Sequence, residues 1–322
     1  MTTLTDDTLP ATPRAMRDEM TVFVVMALLL AAVPFTGVYP FFVMQALCFA
    51  LLACAFNLLI GYGGLLSFGH AMFLGTAGYC SAHALKVWAL PPELGILVGV
   101  AAAFVLSIVT GYISIRRQGI YFSMITLALS QLLYFIYLQA PFTHGEDGIQ
   151  GIPQGRMFGL LDLSQPTVLY YVVLVGFLAG FLLIFRIINS PFGEVLKAIR
   201  ENEPRAISLG YRTDQYKFLA FVLSGTLAGL AGALKVFVAQ NASLTDVHWS
   251  MSGEVVLMTL VGGLGTIFGP VVGAFVIIAM QQYLAGFGQW VTVIQGVIFV
   301  TCVLTFRRGV VGEIAHYFRR SL

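Results

Sequence analysis

Charge is scarce in this sequence. Lys, Arg, Asp and Glu make up 10% of the 322 residues, whereas soluble domains carry roughly 25%. Hydrophobic residues reach 58% and the mean hydropathy is +0.89, so water is not the solvent for most of the surface and a soluble enzyme is excluded. Cysteine is scarce as well. Cys48, Cys54, Cys80 and Cys302 all lie inside apolar segments, where a thiol packs as a small hydrophobe, and this indicates neither disulfides nor metal ligation. The phosphate-cradling P-loop is missing, because Gly265 and Gly269 are not followed by Lys and Ser/Thr; any ATP must be used elsewhere. No His/Glu metal motif or Ser/His pair sits at helical spacing in the apolar runs, which argues against an intramembrane enzyme. Nor do those runs carry the chain of Asp, Glu or His that couples protons or sodium to transport.

Apolar runs are what the sequence has in abundance. They cover approximately 21–38, 41–60, 70–88, 94–115, 119–139, 168–188, 218–239, 252–262, 270–286 and 291–306. Long continuous runs read as helices, since barrel strands are shorter and alternate apolar with polar. The expected fold is an all-α integral membrane protein, a polytopic bundle of roughly 8–10 transmembrane helices with glycine-rich broken-helix segments. Its parts are a polar arm (1–20), a membrane domain (21–306) and a polar tail (307–322). No cleavable signal peptide is evident, because Arg14 and Arg17 directly precede a run long enough to span. The eighth run is short, and it pairs with the ninth either as a re-entrant hairpin or as two full spans. Both leave the same parity.

Basic residues set the orientation. With the N-terminus in the cytoplasm, Arg14, Arg17, Arg116, Arg117, Arg186, Lys197, Arg200, Arg205, Arg212, Lys217, Arg307, Arg308, Arg319 and Arg320 fall inside. Lys86, Arg156 and Lys235 fall on or near the outside, an asymmetry that fits the positive-inside rule and puts both termini in the cytoplasm. Two hydrophilic segments then stand on opposite faces, 140–167 outside and 189–217 inside. This suggests different partners on the two sides.

Glycine is frequent, at 34 residues. The pairs Gly176/Gly180 and Gly225/Gly229, with Gly232 a turn further, let helix backbones approach, and packing within one subunit is the favoured reading over a subunit interface. Two other stretches interrupt the runs. One holds Gly61, Gly63, Gly64 and Gly69; the other holds Gly262, Gly263, Gly265 and Gly269 ahead of Pro270. Paired interruptions point to internal repeats and broken helices lining a pathway, with tight cytoplasmic turns as the equal alternative.

The inner segment opens with helix-start signals, Ser190 as cap and Pro191 at the first position. A second short helix follows Pro204 and ends at Gly210. Here Arg200-Glu201-Asn202-Glu203, Ala206, Gly210, Lys217, Ala220-Phe221, Ser224-Gly225, Ala228-Gly229 and Ala231-Gly232 follow one another. Elsewhere stand Gly64-Leu65-Leu66-Ser67-Phe68-Gly69-His70, Thr143, Gly145, Gly148, Gly151-Ile152-Pro153, Gly262-Gly263-Leu264-Gly265-Thr266 and Gly269-Pro270. In this order, over nearly the whole chain, the sequence resembles permease subunits of branched-chain amino acid ABC importers (the LivM/LivH family), closer to the LivM type. Of the general importer pattern Glu-Ala-Ala followed by Gly, it has Ala206 and Gly210 in place, with Pro204 at the Glu position.

The resemblance implies a transport subunit that is not itself an enzyme and binds no cofactor. Its partners would be a second homologous permease, two cytoplasmic ATPases that use ATP and Mg, and a periplasmic substrate-binding protein facing 140–167. The location would be the bacterial inner membrane. Coupling to the ATPases would fall on Glu194, Lys197, Arg200, Glu201, Glu203, Arg205, Ala206 and Gly210. Polar residues within the membrane, Asn57, Ser67, His70, Gln131, Glu254 and Gln281, are the candidates for the pathway. Similar permeases serve urea, short amides and other small amino or carboxylic acids. A stand-alone secondary transporter or channel is the reading from another class.

Overall fold

Hydrocarbon leaves a backbone no partner but itself, and this chain answers with helices. The structure, a computed structural model, describes residues 13–35, 37 and 39–284, together with 286, 293, 294, 296, 297, 300, 301, 309 and 311–313. The arm up to residue 12, most of the tenth run (291–306), Cys302, Arg307, Arg308, Arg319, Arg320 and the side chains of Arg14 and Arg17 lie outside the described residues.

The helices are α1 (Pro13–Ala32), α2 (Pro40–Asn57), α3 (His70–Lys86), α4 (Pro92–Ser114), α5 (Ile120–Gln139), α6 (Pro166–Ile188), α7 (Pro191–Glu201), α8 (Glu203–Ser208), α9 (Thr213–Ala239), α10 (Trp249–Gly262) and α11 (Gly269–Leu284). Proline opens α2, α4, α6 and α7, where its missing N–H has no helical bond to lose. Among the described residues, α2 with its continuation to Tyr62, α4, α5, α6 and α9 are each long and apolar enough to cross a bilayer. At 14 residues, α10 is about 21 Å long, short of the ~30 Å hydrocarbon core.

α2 is apolar on every side and therefore sits at the centre, with Leu47, Leu51, Leu52 and Phe56 wholly buried. α9 packs on α2, α3 and α4, and α11 packs on α2 and α10. α4 and α5 keep one face outward, with Phe104, Val109, Leu132 and Phe135 exposed. The α9 glycines serve contacts within the chain. A Cβ on Gly229 would lie 2.2 Å from that of Ala103, one on Gly225 2.7 Å from that of Ser107, and one on Gly232 2.1 Å from the Leu74 carbonyl oxygen. Gly176 and Gly180 likewise face Leu234 and Leu51, so the helix pairs are intrasubunit.

The two hydrophilic segments occupy opposite ends. At one end, β1 (Ile149–Gln150) pairs antiparallel with β4 (Asn241–Ala242), while β2 (Arg156–Met157) pairs with β3 (Leu161–Asp162). Lys86 Nζ donates to the Gln150 carbonyl at 2.6 Å, and Lys235 pairs with Asp246, so all three basic residues assigned outside gather here. At the other end lie α7, α8, the 115–119 turn and both glycine breaks.

Candidate functional site at the glycine breaks

α2 runs on through a π-type turn, Leu58–Tyr62, and stops at Gly63. Residues 63–69 form no regular structure, and Gly64 has φ +69°. Most of the segment is nevertheless buried, and α3 starts at His70 inside the bundle with no exposure at all. A surface turn is therefore not what the glycines make. Backbone groups in this stretch are met by hydroxyls instead of a helical ladder. Phe68 N–H donates to Thr126 Oγ1 at 3.2 Å, Gly69 N–H to Ser67 Oγ at 3.2 Å and Ala71 N–H to Ser252 Oγ at 2.9 Å. Ser123 Oγ donates to the Leu66 carbonyl at 2.6 Å. Irregular backbone is tolerated at membrane depth when protein satisfies it in this way.

His70 fixes the start of α3. Its Nε2 lies 2.8 Å from Ser224 Oγ, and that hydroxyl gives its single proton to the Ala55 carbonyl at 2.5 Å. Ser224 Oγ thereby links His70 at the start of α3 to the Ala55 carbonyl of α2. The ring meets Phe56 and Phe73 edge-on.

The second break lies between α10 and α11. Gly263 turns the chain with φ +124°, and Thr266 Oγ1 donates to the Gly263 carbonyl at 2.8 Å while accepting the Gly269 N–H at 3.2 Å. The helices close into a hairpin in which a Cβ on Gly273 would lie 1.8 Å from the Met258 carbonyl oxygen. The two breaks touch. Asn57 Oδ1 accepts the Gly265 N–H at 3.0 Å and its Nδ2 donates to the Thr266 carbonyl at 2.9 Å. A Cβ on Gly61 would stand 2.8 Å from the Gly265 nitrogen, so only glycine allows this approach.

The inner segment seats directly beneath. Ser190 Oγ accepts the Gly193 N–H at 3.4 Å at the start of α7, and Asn202 Oδ1 accepts the Arg205 N–H at 3.1 Å at the start of α8. Gly210, at φ +91°, ends the second helix. α7 is strongly amphipathic: Leu196 and Ile199 are buried, and the Glu194–Lys197 pair (2.9 Å) lies on the surface together with Glu201. Arg200 Nη1 donates to the Gly61 carbonyl, although much of the side chain stays exposed. In α8, Ala206 is buried and Arg205 exposed, and Glu203 binds Lys217 of α9 at 2.5 Å and Gln118 at 3.1 Å.

The other candidate residues do not all converge. Ser67, His70 and Asn57 belong to the breaks. Glu254 and Gln281 are half-buried partners on α10 and α11, with Gln281 Nε2 donating to Glu254 Oε2 at 3.0 Å. Gln131 is half-buried on α5, apart from both groups. Sequence reasoning missed the hydroxyls of Ser123, Thr126 and Ser252, whose only signal was their presence inside apolar runs, and it named Ser224 in the resemblance without a role. It also missed Ile207 and Leu209, 55% and 70% exposed beside the charged face of α8. An exposed apolar pair amid charges fits a surface that another protein covers.

Comparison with known proteins comes to the same region of function. The family described as branched-chain amino acid transport system / permease component matches residues 38–303. The high-affinity branched-chain amino acid transport system permease protein LivM of Salmonella typhimurium is 26% identical, over 88% of this chain and 73% of its own length. LivM of Escherichia coli is 25% identical, over 81% of this chain and 67% of its own. The autoinducer 2 import system permease protein LsrC of Yersinia pseudotuberculosis is 30% identical, over 59% of this chain and 52% of its own. No solved structure matches.

Proposed function

This chain belongs to the family of permease components of branched-chain amino acid transport systems, and from that membership we propose that it is a membrane-spanning subunit of an ATP-driven importer for branched-chain amino acids. The observation that carries the reading is the placement of the inner segment. α7 and α8 present charged and apolar side chains outward and are tied inward, α7 through Arg200 to the Gly61 carbonyl at the first break and α8 through Glu203 to Lys217 of α9. A surface of this kind suits a partner that pushes on the membrane domain.

In this reading one of two cytoplasmic ATPases, which use ATP and Mg, seats on α7 and α8, and a second homologous permease completes the pathway. A periplasmic binding protein docks on the opposite end, where 140–165 is paired to 240–248 through β1 and β4. Both termini face the cytoplasm of a bacterial inner membrane, as the distribution of basic residues favours. The chain hydrolyses nothing itself. Alternation between inward-open and outward-open states is a rigid-body change with the glycine breaks as its compliant points.

The likeness to an autoinducer 2 import permease supports a second reading, in which the same machinery carries another small polar solute and the binding protein selects it. A mild-detergent pull-down of the tagged chain, followed by uptake assays in proteoliposomes, tests both. Co-purified ATPases, a second permease and ATP-dependent leucine uptake are expected. ATP-dependent uptake of another solute but not of leucine moves the substrate to the second reading. A chain that emerges alone and moves solute without ATP overturns the importer.

A further inference from the structure

The inner segment has two anchors of different kinds. Glu203 holds α8 to Lys217, a residue of the regular helix α9, and to Gln118 in the 115–119 turn. Arg200 holds α7 to backbone that is not regular. Its aliphatic stem crosses Gly64 so closely that a Cβ there would stand 2.8 Å from Arg200 Cγ. Its Nη1 donates to the Gly61 carbonyl in the π-type turn. The same nitrogen is 3.5 Å from where a Cβ on Gly265 would stand, and that position is 3.6 Å from the Gly61 oxygen. The guanidinium thus bonds the first break and lies beside Gly265 of the second, and Asn57 bonds the second break to the end of α2. Lys197, besides pairing with Glu194, stands 5.8 Å over the Tyr62 ring of the same turn, so it meets the first break alone and without a hydrogen bond to its backbone.

We propose that Arg200 is a positioning residue that joins α7 to both glycine breaks, so that displacement of α7 by its partner moves the end of α2 and the 263–268 loop together. The proposal rests on the importer reading. The physical reason lies in stiffness. A ladder-bonded helix resists local bending, whereas segments held by single side-chain bonds are where hinge rotations are absorbed. An arginine suits the junction because its planar fork offers several fixed donors on one stem, and a lysine offers one rotating point charge. Glu203, bonded to a regular helix, is the fulcrum against which α7 swings.

The test uses the complete assembly in proteoliposomes, with Leu264→Cys as reporter. Leu264 is 42% exposed on the second break; Cys48 and Cys54 are buried and Cys80 is half-buried, so labelling of the parent chain gives the background to subtract. Nucleotide analogue is expected to change the labelling rate of Leu264→Cys. Adding Arg200→Ala should abolish that change and lower uptake roughly tenfold, within the range for disrupted coupling networks. Hydrolysis per co-purified ATPase should fall much less than uptake, and Arg200→Lys should retain part of both the nucleotide response and uptake. If Arg200→Ala does not accumulate, the lysine variant decides alone by whether its nucleotide response is diminished. A full nucleotide response in the variant, or loss of ATPase in proportion to uptake, overturns the proposal and leaves the importer standing. Absence of any ATPase from the wild-type complex overturns both.

Discussion

Asn57 and Gly265 are 208 residues apart and share a hydrogen bond of 3.0 Å, with a second from the Asn57 amide to the Thr266 carbonyl at 2.9 Å. One amide side chain satisfies a donor and an acceptor of an irregular loop, and in doing so it locks two interrupted helices in register. Leaving a buried polar group unsatisfied costs about 1–3 kcal/mol, so this residue matters more than its single bonds suggest.

Replacing Asn57 by Leu should lower the thermal stability of the purified chain, by about 2–6 kcal/mol for the two stranded groups. Uptake should fall further than folded protein does, because the breaks lose their register. Unfolding in detergent, measured beside uptake per folded molecule, checks this; equal losses in both would mean a purely structural role.

Lys217 is 4% exposed and Glu203 17%, and they meet at 2.5 Å. Breaking a buried ion pair by removing one member costs about 3–5 kcal/mol, and the part-exposed Glu203 should bring the effect toward the lower bound. Glu203→Ala should therefore destabilise more than the double variant Glu203→Ala/Lys217→Met. A double-mutant cycle on thermal unfolding measures the coupling, and additive effects would show that the pair is not acting as a unit.

Glu254→Ala should impair uptake while leaving co-purification of the partners intact. Glu254→Gln, which can still accept from Gln281, should retain most of it. An ionisable group in the outer half of the bundle is costly to keep without a role. Normal uptake by the alanine variant would remove Glu254 from the pathway.

Gly273→Ala would place a methyl 1.8 Å from the Met258 carbonyl oxygen, whereas Gly253→Ala on the facing helix meets nothing within 4 Å. The first should force α10 and α11 apart and cost on the order of 1–3 kcal/mol or more. The second should be neutral or stabilising by up to ~1 kcal/mol, from helix propensity. Melting temperatures of the two variants side by side settle whether the hairpin is as tight as the structure has it.

Much of the architecture was legible because its causes are local. The run read as 94–115 is α4 at 92–114, and the run read as 168–188 is α6 at 166–188, since hydropathy and an opening proline depend only on neighbours in sequence. Ser190, Pro191 and Gly210 announced the two short helices for the same reason, and Pro204 lies in the first turn of the second. The breaks were legible as interruptions but not as a buried junction. Whether residues 63–69 lie at the surface or within the bundle depends on Ser123, Thr126 and Ser252, which come from other helices. Arg200 was grouped with the residues facing the ATPase, and its bond to Gly61 lay beyond the reach of any pattern.

Composition and hydropathy alone thus determined that the chain is a helical membrane protein and where most of its described apolar helices run, because lipid acts on each residue run independently. The tertiary structure decided which glycines serve helix packing and which serve the junction, and that Asn57, Gly61, Arg200 and Gly265 meet at one point. Contacts between residues more than a hundred positions apart exist only once the helices have packed, and no local preference encodes them.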